Sequence, residues 1–223
     1  MITQSGRQAK DALFDALASV AKAMASGRRA EIVELLSQGE RTVDEIAAAI
    51  DQTVPNTSHH LRTLARAGLV RTRREGTWVH YSLASGDVAA MWSAIRRVAA
   101  QQVTDIEQLA TAYVGDRGSL ATIDREELRQ RIKDGTVVVV DVRPATEHAA
   151  GRIAGALNVP IDELARRLDE LPADATVVAY CRGPYCVYAD DAVRLLTRQG
   201  RAAVRLEDGF PEWRSAGLPV EVG

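Results

Sequence analysis

"AYCRGPYCVYADDA", residues 179–192, holds both cysteines of the chain. Cys181 closes the apolar run "ATVVAY", Cys186 precedes the helical pattern "YADDAVRLLTRQG", and Gly183 and Pro184 lie between them. A buried strand that turns tightly into a helix puts Cys181 at the carboxyl end of that strand, where open α/β sheets bind their ligands. Four readings of the pair fit: a disulfide, half of a metal site, a nucleophile with a resolving partner, or coincidence. The curved backbone at Gly183 and Pro184 predicts a main-chain cradle made by Arg182, Gly183, Pro184, Tyr185, Cys186 and Val187 around the Cys181 sulfur. N–H groups aimed at a sulfur, with a helix N-terminus behind them, stabilise negative charge and lower the thiol pKa.

Outward from this loop, strands and helices alternate. "TVVVVDV" (136–142) is a β-branched run of the kind buried in a parallel sheet, and "ALNVP" (156–160) and "AAVRLE" (202–207) read as further strands. Helices are expected at "TIDREELRQRIKDG" (122–135), "TEHAAGRI" (146–153), "IDELARRLDEL" (161–171) and "YADDAVRLLTRQG" (188–200). Alternation through short loops implies a parallel sheet covered on both faces.

The first half has another texture. Apolar residues recur at helical spacing from Gln8 to Met24, and "GRRAEIVELLSQGE" (27–40) reads as a second helix. Thr42 with Glu45 forms a capping-box pattern at the head of "TVDEIAAAI" (42–50). A tight turn leads to the helix "PNTSHHLRTLARAGL" (55–69), with Pro55 in its first turn and Gly68 at its end. "LVRTRREGTWVHYSL" (69–83) then switches to period two around the "EG" turn at 75–76, and 86–113 reads as one long helix. The breaker cluster "VGDRGS" (114–119) separates the halves. The expected organisation is therefore a domain at 1–114, a linker at 115–119 and a domain at 120–223.

With 223 residues, 46% hydrophobic and 26% charged, the chain can bury two cores without cross-links. Two cysteines do not make a disulfide scaffold, which favours a reducing compartment, and no window has the run of about 20 apolar residues that a membrane span needs. A soluble, cytoplasmic protein with no membrane partner is expected. Residues 53–83 hold Arg62, Arg66, Arg71, Arg73 and Arg74 against the single acid Glu75, a local charge of about +4. Two short helices, a basic second helix and an arginine-bearing hairpin make a winged helix-turn-helix. In such a fold the second helix enters the major groove and flanking arginines neutralise phosphates. Asn56, Thr57, Ser58, His59, Arg62 and Arg66 are expected on the DNA-facing side of that helix, with Arg73 and Arg74 on the wing.

"NTSHHLRTLARAGLVRTRREGTWVHYSL" (56–83) resembles the heart of the ArsR-type, or SmtB-type, repressors. The resemblance spans roughly residues 10–100 and implies a homodimer, held by the first and last helices of the domain, on palindromic double-stranded operator DNA. Metal-sensing members carry cysteines where this chain has Val43, Asp44 and Ile46, so no metal site and no cofactor are expected.

The second half is similar to the rhodanese, or sulfurtransferase, domain. "DVRPATEHAAGRIAGALNVP" (141–160) matches its first signature and "LEDGFPEW" (206–213) its closing one, with the cysteine loop between them. Arg152 stands where the first signature has His. The resemblance implies that Cys181 is the nucleophile that takes sulfur as a persulfide, and that Asp141, Arg143 and Glu147 are structural. Arg182 is the candidate to draw in a small sulfur-containing anion or persulfide donor, and Cys186 the candidate resolving thiol. The six-residue loop goes with sulfur transfer rather than with the longer, arginine-closed loop of the related phosphatases.

Together these features lead us to expect a DNA-binding regulator, a repressor, whose rhodanese domain accepts sulfane sulfur on Cys181 and thereby changes operator binding. The alternatives are a sulfurtransferase enzyme, drawing on thiosulfate or polysulfide, with an accessory DNA-binding domain, and a thiol-based redox or arsenite sensor.

Overall fold

The computed structural model describes residues 4–223. The chain forms two compact units, one ending at Trp92 and the other Ser93–Gly223. The first three residues of the expected domain 1–114 lie outside the described residues.

The first unit runs α1 (Gln4–Met24), α2 (Gly27–Leu36), β1 (Arg41–Thr42), α3 (Val43–Ala49), α4 (Val54–Arg66), β2 (Val70–Glu75) and β3 (Trp78–Leu83), then enters α5 (Gly86–Gln102). The capping box forms: the Thr42 side chain accepts from the Glu45 N–H, and the Glu45 carboxylate accepts from the Thr42 N–H at 2.7 Å. Thr53 caps α4 through the Asn56 N–H, and Gly68 leaves the helix at φ +72°. Ile32, Val33, Leu36, Ile46, Leu61 and Leu64 make the core. The three strands pair antiparallel in the order β1-β3-β2, and the wing register sets Arg73 opposite His80.

The expected single helix over 86–113 is two, α5 and α6 (Ile106–Val114). The break falls at the β-branched pair Val103 and Thr104, with Asp105 at the N-cap position of α6. The division between units also differs from the expected linker at 115–119. Ser93 and Arg96 hydrogen-bond Glu212, and Arg117 pairs with Asp190, so residues upstream of 120 pack as part of the second unit.

After α6 the second unit continues β4 (Thr122–Ile123), α7 (Arg125–Lys133), β5 (Val137–Asp141), α8 (Ala145–Ala150), β6 (Arg152–Ile153), β7 (Leu157–Asn158) and α9 (Ile161–Leu164). It closes with β8 (Thr176–Tyr180), α10 (Tyr188–Arg198), β9 (Ala203–Leu206), α11 (Phe210–Ser215) and β10 (Val220–Glu221). Five strands form a parallel sheet in the order β4-β9-β8-β5-β7, while β6 and β10 pair antiparallel. The strict alternation of β8 builds both faces. Val177, Ala179 and Cys181 face one core with Val140, Ala192 and Leu196; Val178 and Tyr180 face the other with Phe210 and Trp213. The helix expected at 161–171 stops at Leu164, because Arg201 takes the carbonyls of Leu168, Leu171 and Pro172 and wraps that segment around its guanidinium. Among the described residues no helix is long and apolar enough to cross a membrane.

Candidate functional site

Cys181 leaves β8 at the carboxyl end of the sheet and is buried, while Cys186 is half-buried; both are free thiols. The Cys186 N–H donates to the Gly183 carbonyl at 3.1 Å, which closes the loop as a turn. That bond corrects the expected cradle. Cys186 spends its N–H within the turn, and Pro184 has none to offer. The Cys181 thiol donates to the Cys186 carbonyl at 3.7 Å and to the Gly183 carbonyl at 3.9 Å, while the N–H groups of Gly183 and Ala189 favour its thiolate and those of Arg182 and Tyr188 favour that of Cys186.

The surroundings push the two thiols in opposite directions. Burial pushes the Cys181 thiol up, and its hydrogen bond to Cys186 and the charge there add to the rise. Cys186 is brought down to about 7 by that shared hydrogen bond, aided by the Arg182 and Tyr188 N–H groups and the Arg182 guanidinium, against its own burial. The two thiols titrate as a pair, in which burial raises Cys181 while the Arg182 guanidinium and the N–H groups of Arg182 and Tyr188 lower Cys186.

Arg182 is not held out to solvent. Its Nη2 lies 2.6 Å from Glu147 Oε1 and its Nε 3.0 Å from Oε2, with the guanidinium 5.1 Å from the Tyr188 ring centroid. Glu147 is fully buried in α8, so the fork-to-carboxylate pair ties the loop to that helix. Asp141 and Arg143 form a closed pair of fully buried charges at 2.6 Å, joined by the Tyr180 hydroxyl, which donates to Asp141 at 2.7 Å. They sit at the end of β5, an interior strand, and not at a sheet edge.

On the loop's other flank stands Arg117. Its Nε lies 2.6 Å from Asp190 Oδ2, its Nη2 donates to the Cys186 carbonyl at 3.0 Å, and its Nη1 donates to the Pro184 carbonyl. Asp190 is fully buried in the first turn of α10 and also meets Arg205 Nε at 3.2 Å. One carboxylate between two guanidiniums leaves this flank positive, which favours a thiolate nearby. The Phe210 N–H donates to the Cys181 carbonyl at 3.1 Å, and Glu212 accepts from the Gly209 N–H at 3.1 Å and from Ser93 Oγ at 3.0 Å.

In the first unit α4 presents Asn56, His59, Arg62 and Arg66 outward, with Ser58 half-buried beside them. Thr57 departs from the expected DNA-facing set. It is fully buried on the stripe shared with Leu61 and Leu64, spaced i, i+4 and i+7. Arg73 is engaged by Glu40 at 2.6 Å and by Glu75 at 2.8 Å, whereas Arg74 is exposed on the wing.

Sequence reasoning missed Arg117, Asp190, Arg205 and the N–H of Ala189. Arg117 and Asp190 are 73 positions apart, and no local pattern signals such a pairing. Gly209 stood inside the quoted closing signature without its role being read.

The rhodanese-like domain model matches residues 124–216, and the model for bacterial regulatory proteins of the arsR family matches residues 26–72. The HTH-type transcriptional regulator Rv0324 of Mycobacterium tuberculosis is 48% identical over 223 residues, all of this chain and 97% of the relative. A sulfurtransferase of Allochromatium vinosum is 39% identical over 100 residues, 44% of this chain and 92% of its own. Among solved structures, the homodimeric winged helix-turn-helix DNA-binding domain of a Mycobacterium bovis protein is 44% identical, with a TM-score of 0.42, covering 46% of this chain and 94% of its own. The chain belongs to the ArsR-family HTH-type transcriptional regulators, with a rhodanese-like domain behind the winged helix.

Proposed function

We infer that the chain is a cytoplasmic repressor that pairs as a homodimer on operator DNA and loosens its grip when the Cys181–Cys186 loop takes up sulfane sulfur. The observation that carries this reading is a pair of free thiols on one tight turn at the carboxyl end of β8, the Cys181 thiol 3.7 Å from the Cys186 carbonyl, in the same chain as an exposed basic recognition helix. Dimerisation is supported by Leu13, Phe14 and Leu17, which α1 leaves exposed at helical spacing.

The chemistry follows from the pair. Proton transfer across the shared hydrogen bond turns Cys181 into the thiolate, which the N–H groups of Gly183 and Ala189 accommodate. That thiolate attacks the outer sulfur of a persulfide or polysulfide donor. A bond from Cys181 to this sulfur forms, the donor's S–S bond breaks, and the donor leaves as a thiolate that takes the proton from Cys186 and so restores its thiolate. The Cys186 thiolate then attacks Cys181 Sγ. A disulfide forms, the bond to the outer sulfur breaks, and that sulfur leaves as hydrosulfide with the bonding pair. The two cysteines are oxidised and the transferred sulfur is reduced, so no other oxidant is needed.

The experiment is operator affinity of the full chain with and without inorganic polysulfide. Loss of affinity in the wild type, with a Cys181→Ser variant unresponsive, supports the reading; a variant that responds fully overturns it. A second reading, a working sulfurtransferase, draws support from the A. vinosum relative. Steady turnover of polysulfide to cyanide or a thiol, with operator affinity unchanged, would favour it.

A further inference from the structure

The segment 115–119 looks like a tether in the sequence, yet it is wound against the cysteine loop. Arg194 Nη2 donates to the Asp116 carbonyl at 3.0 Å, the Gly118 N–H donates to Asp116 Oδ1 at 2.8 Å, and the Leu120 N–H donates to the Arg117 carbonyl at 2.9 Å. Arg117 then reaches across to two loop carbonyls, those of Pro184 and Cys186, and to Asp190. Every one of these residues belongs to the second unit.

A guanidinium on two alternate carbonyls fixes more than two oxygens. In a trans peptide the N–H points opposite to the C=O, and none of the described bonds is cis. Holding the Pro184 and Cys186 carbonyls toward Arg117 therefore turns the Tyr185 and Val187 N–H groups away from it and sets the pitch of the turn that carries Cys186. Asp190 makes the clamp rigid. Its carboxylate is buried, at the head of α10, and shared with Arg205. Arg205 shares Asp190 with Arg117 on this flank of the loop, and Arg182, Glu147 and Tyr188 stand on the other.

We propose that Arg117 is a positioning residue for the loop, and that its hold on the Pro184 and Cys186 carbonyls is the contact broken when the two cysteines become covalently joined. The proposal rests on the sulfur-accepting reading above. Joining the two sulfurs brings them to about 2.05 Å, and the Cys186 main chain moves with its sulfur. A hydrogen bond at 3.0 Å does not survive a displacement of more than about 0.5 Å. Release frees the Arg117 side chain and with it the segment leading back to α6. Loop chemistry is thereby converted into freedom of the segment between α6 and β4, inside the second unit.

Trypsin reads this directly, because it cuts after arginine only when the side chain can leave the protein. The full chain is treated with inorganic polysulfide and digested briefly, and the intact masses of the chain and its first fragments are measured. The bridged chain is expected to be cut after Arg117 at least fivefold faster than the reduced chain, while the Cys186→Ser molecules whose intact mass shows an added sulfur stay protected. Equal rates for bridged and reduced wild type overturn the proposal while leaving sulfur uptake intact. If polysulfide leaves no adduct and no bridge, the sulfur-accepting reading fails instead. Positioning is then decided on the reduced protein by the pH midpoint of thiol alkylation. Arg117→Gln is expected to raise it by about one pH unit, a tenfold loss of rate at pH 6, and Arg117→Lys by less than half as much. Midpoints equal to wild type in both variants overturn the positioning role.

Discussion

Gly209 lies against Gly183 so closely that a Cβ on Gly209 would stand 2.3 Å from the Gly183 nitrogen and 2.5 Å from the Arg182 carbonyl carbon. No side chain can yield there, since both partners are main chain. A Gly209→Ala substitution must push the cysteine loop off the Phe210 N–H. The expected cost is about 1–3 kcal/mol, read by chemical denaturation, together with a loss of thiol reactivity at pH 7. Unchanged stability and reactivity would refute the contact.

The thiol pair predicts its own pH behaviour. Cys186 is depressed from an ordinary 9.0 to about 7 in the folded chain, so it contributes stability that is present above the unfolded value and is lost as pH falls through 7. Cys181 is raised by burial, and its effect has the opposite sign above 9. Stability of the reduced protein should climb between pH 7 and 9 and then decline, and Cys186→Ser should abolish the climb. Alkylation of that variant at pH 7 should fall at least tenfold, since only the raised thiol remains.

Arg182 and Glu147 should respond unequally to mutation. Arg182→Met removes the bidentate partner of a fully buried carboxylate and is expected to cost about 3 kcal/mol. Glu147→Gln leaves an arginine whose side chain is 27% exposed and can draw on water, so its cost should be about 1 kcal/mol. Unfolding midpoints of the two variants and of the double variant measure the coupling; equal single-variant costs would contradict the geometry.

On the recognition helix, Arg62→Ala should weaken operator binding and reduce the salt slope by about 1. Thr57→Val should leave binding within twofold. Its hydroxyl is buried without a hydrogen-bond partner among the described residues, so the substitution should stabilise the fold by about 1 kcal/mol. A binding loss at Thr57 comparable to that at Arg62 would return Thr57 to the DNA face.

Much of the fold was legible because its signals are local. The capping box at Thr42 and Glu45, the β-branched run of β5 and the glycine after α4 each act within a few residues of themselves. The position of the cysteine loop was legible for the same reason, since a strand end followed by a helix has one place in a parallel sheet. Thr57 was misread although its signal was available: it is four residues before Leu61 and seven before Leu64, and falls on their face. The direction in which the surroundings push each thiol was not legible. It depends on depth, and depth comes from β5, α10 and α11 packing around Cys181. Arg117 was illegible too, because a breaker-rich stretch reads as a tether whatever its side chains grip.

The cysteine loop is held differently at its two ends. At residues 182–183 it rests on Gly209 and Phe210, peptide against peptide, a seat that cannot rotate aside. At residues 184–186 the outer carbonyls are held by the tip of one side chain, Arg117. A swelling inside the loop therefore has a fixed hinge and a latch, and the motion it drives is one-sided: it lifts the Cys186 end and spares the strand.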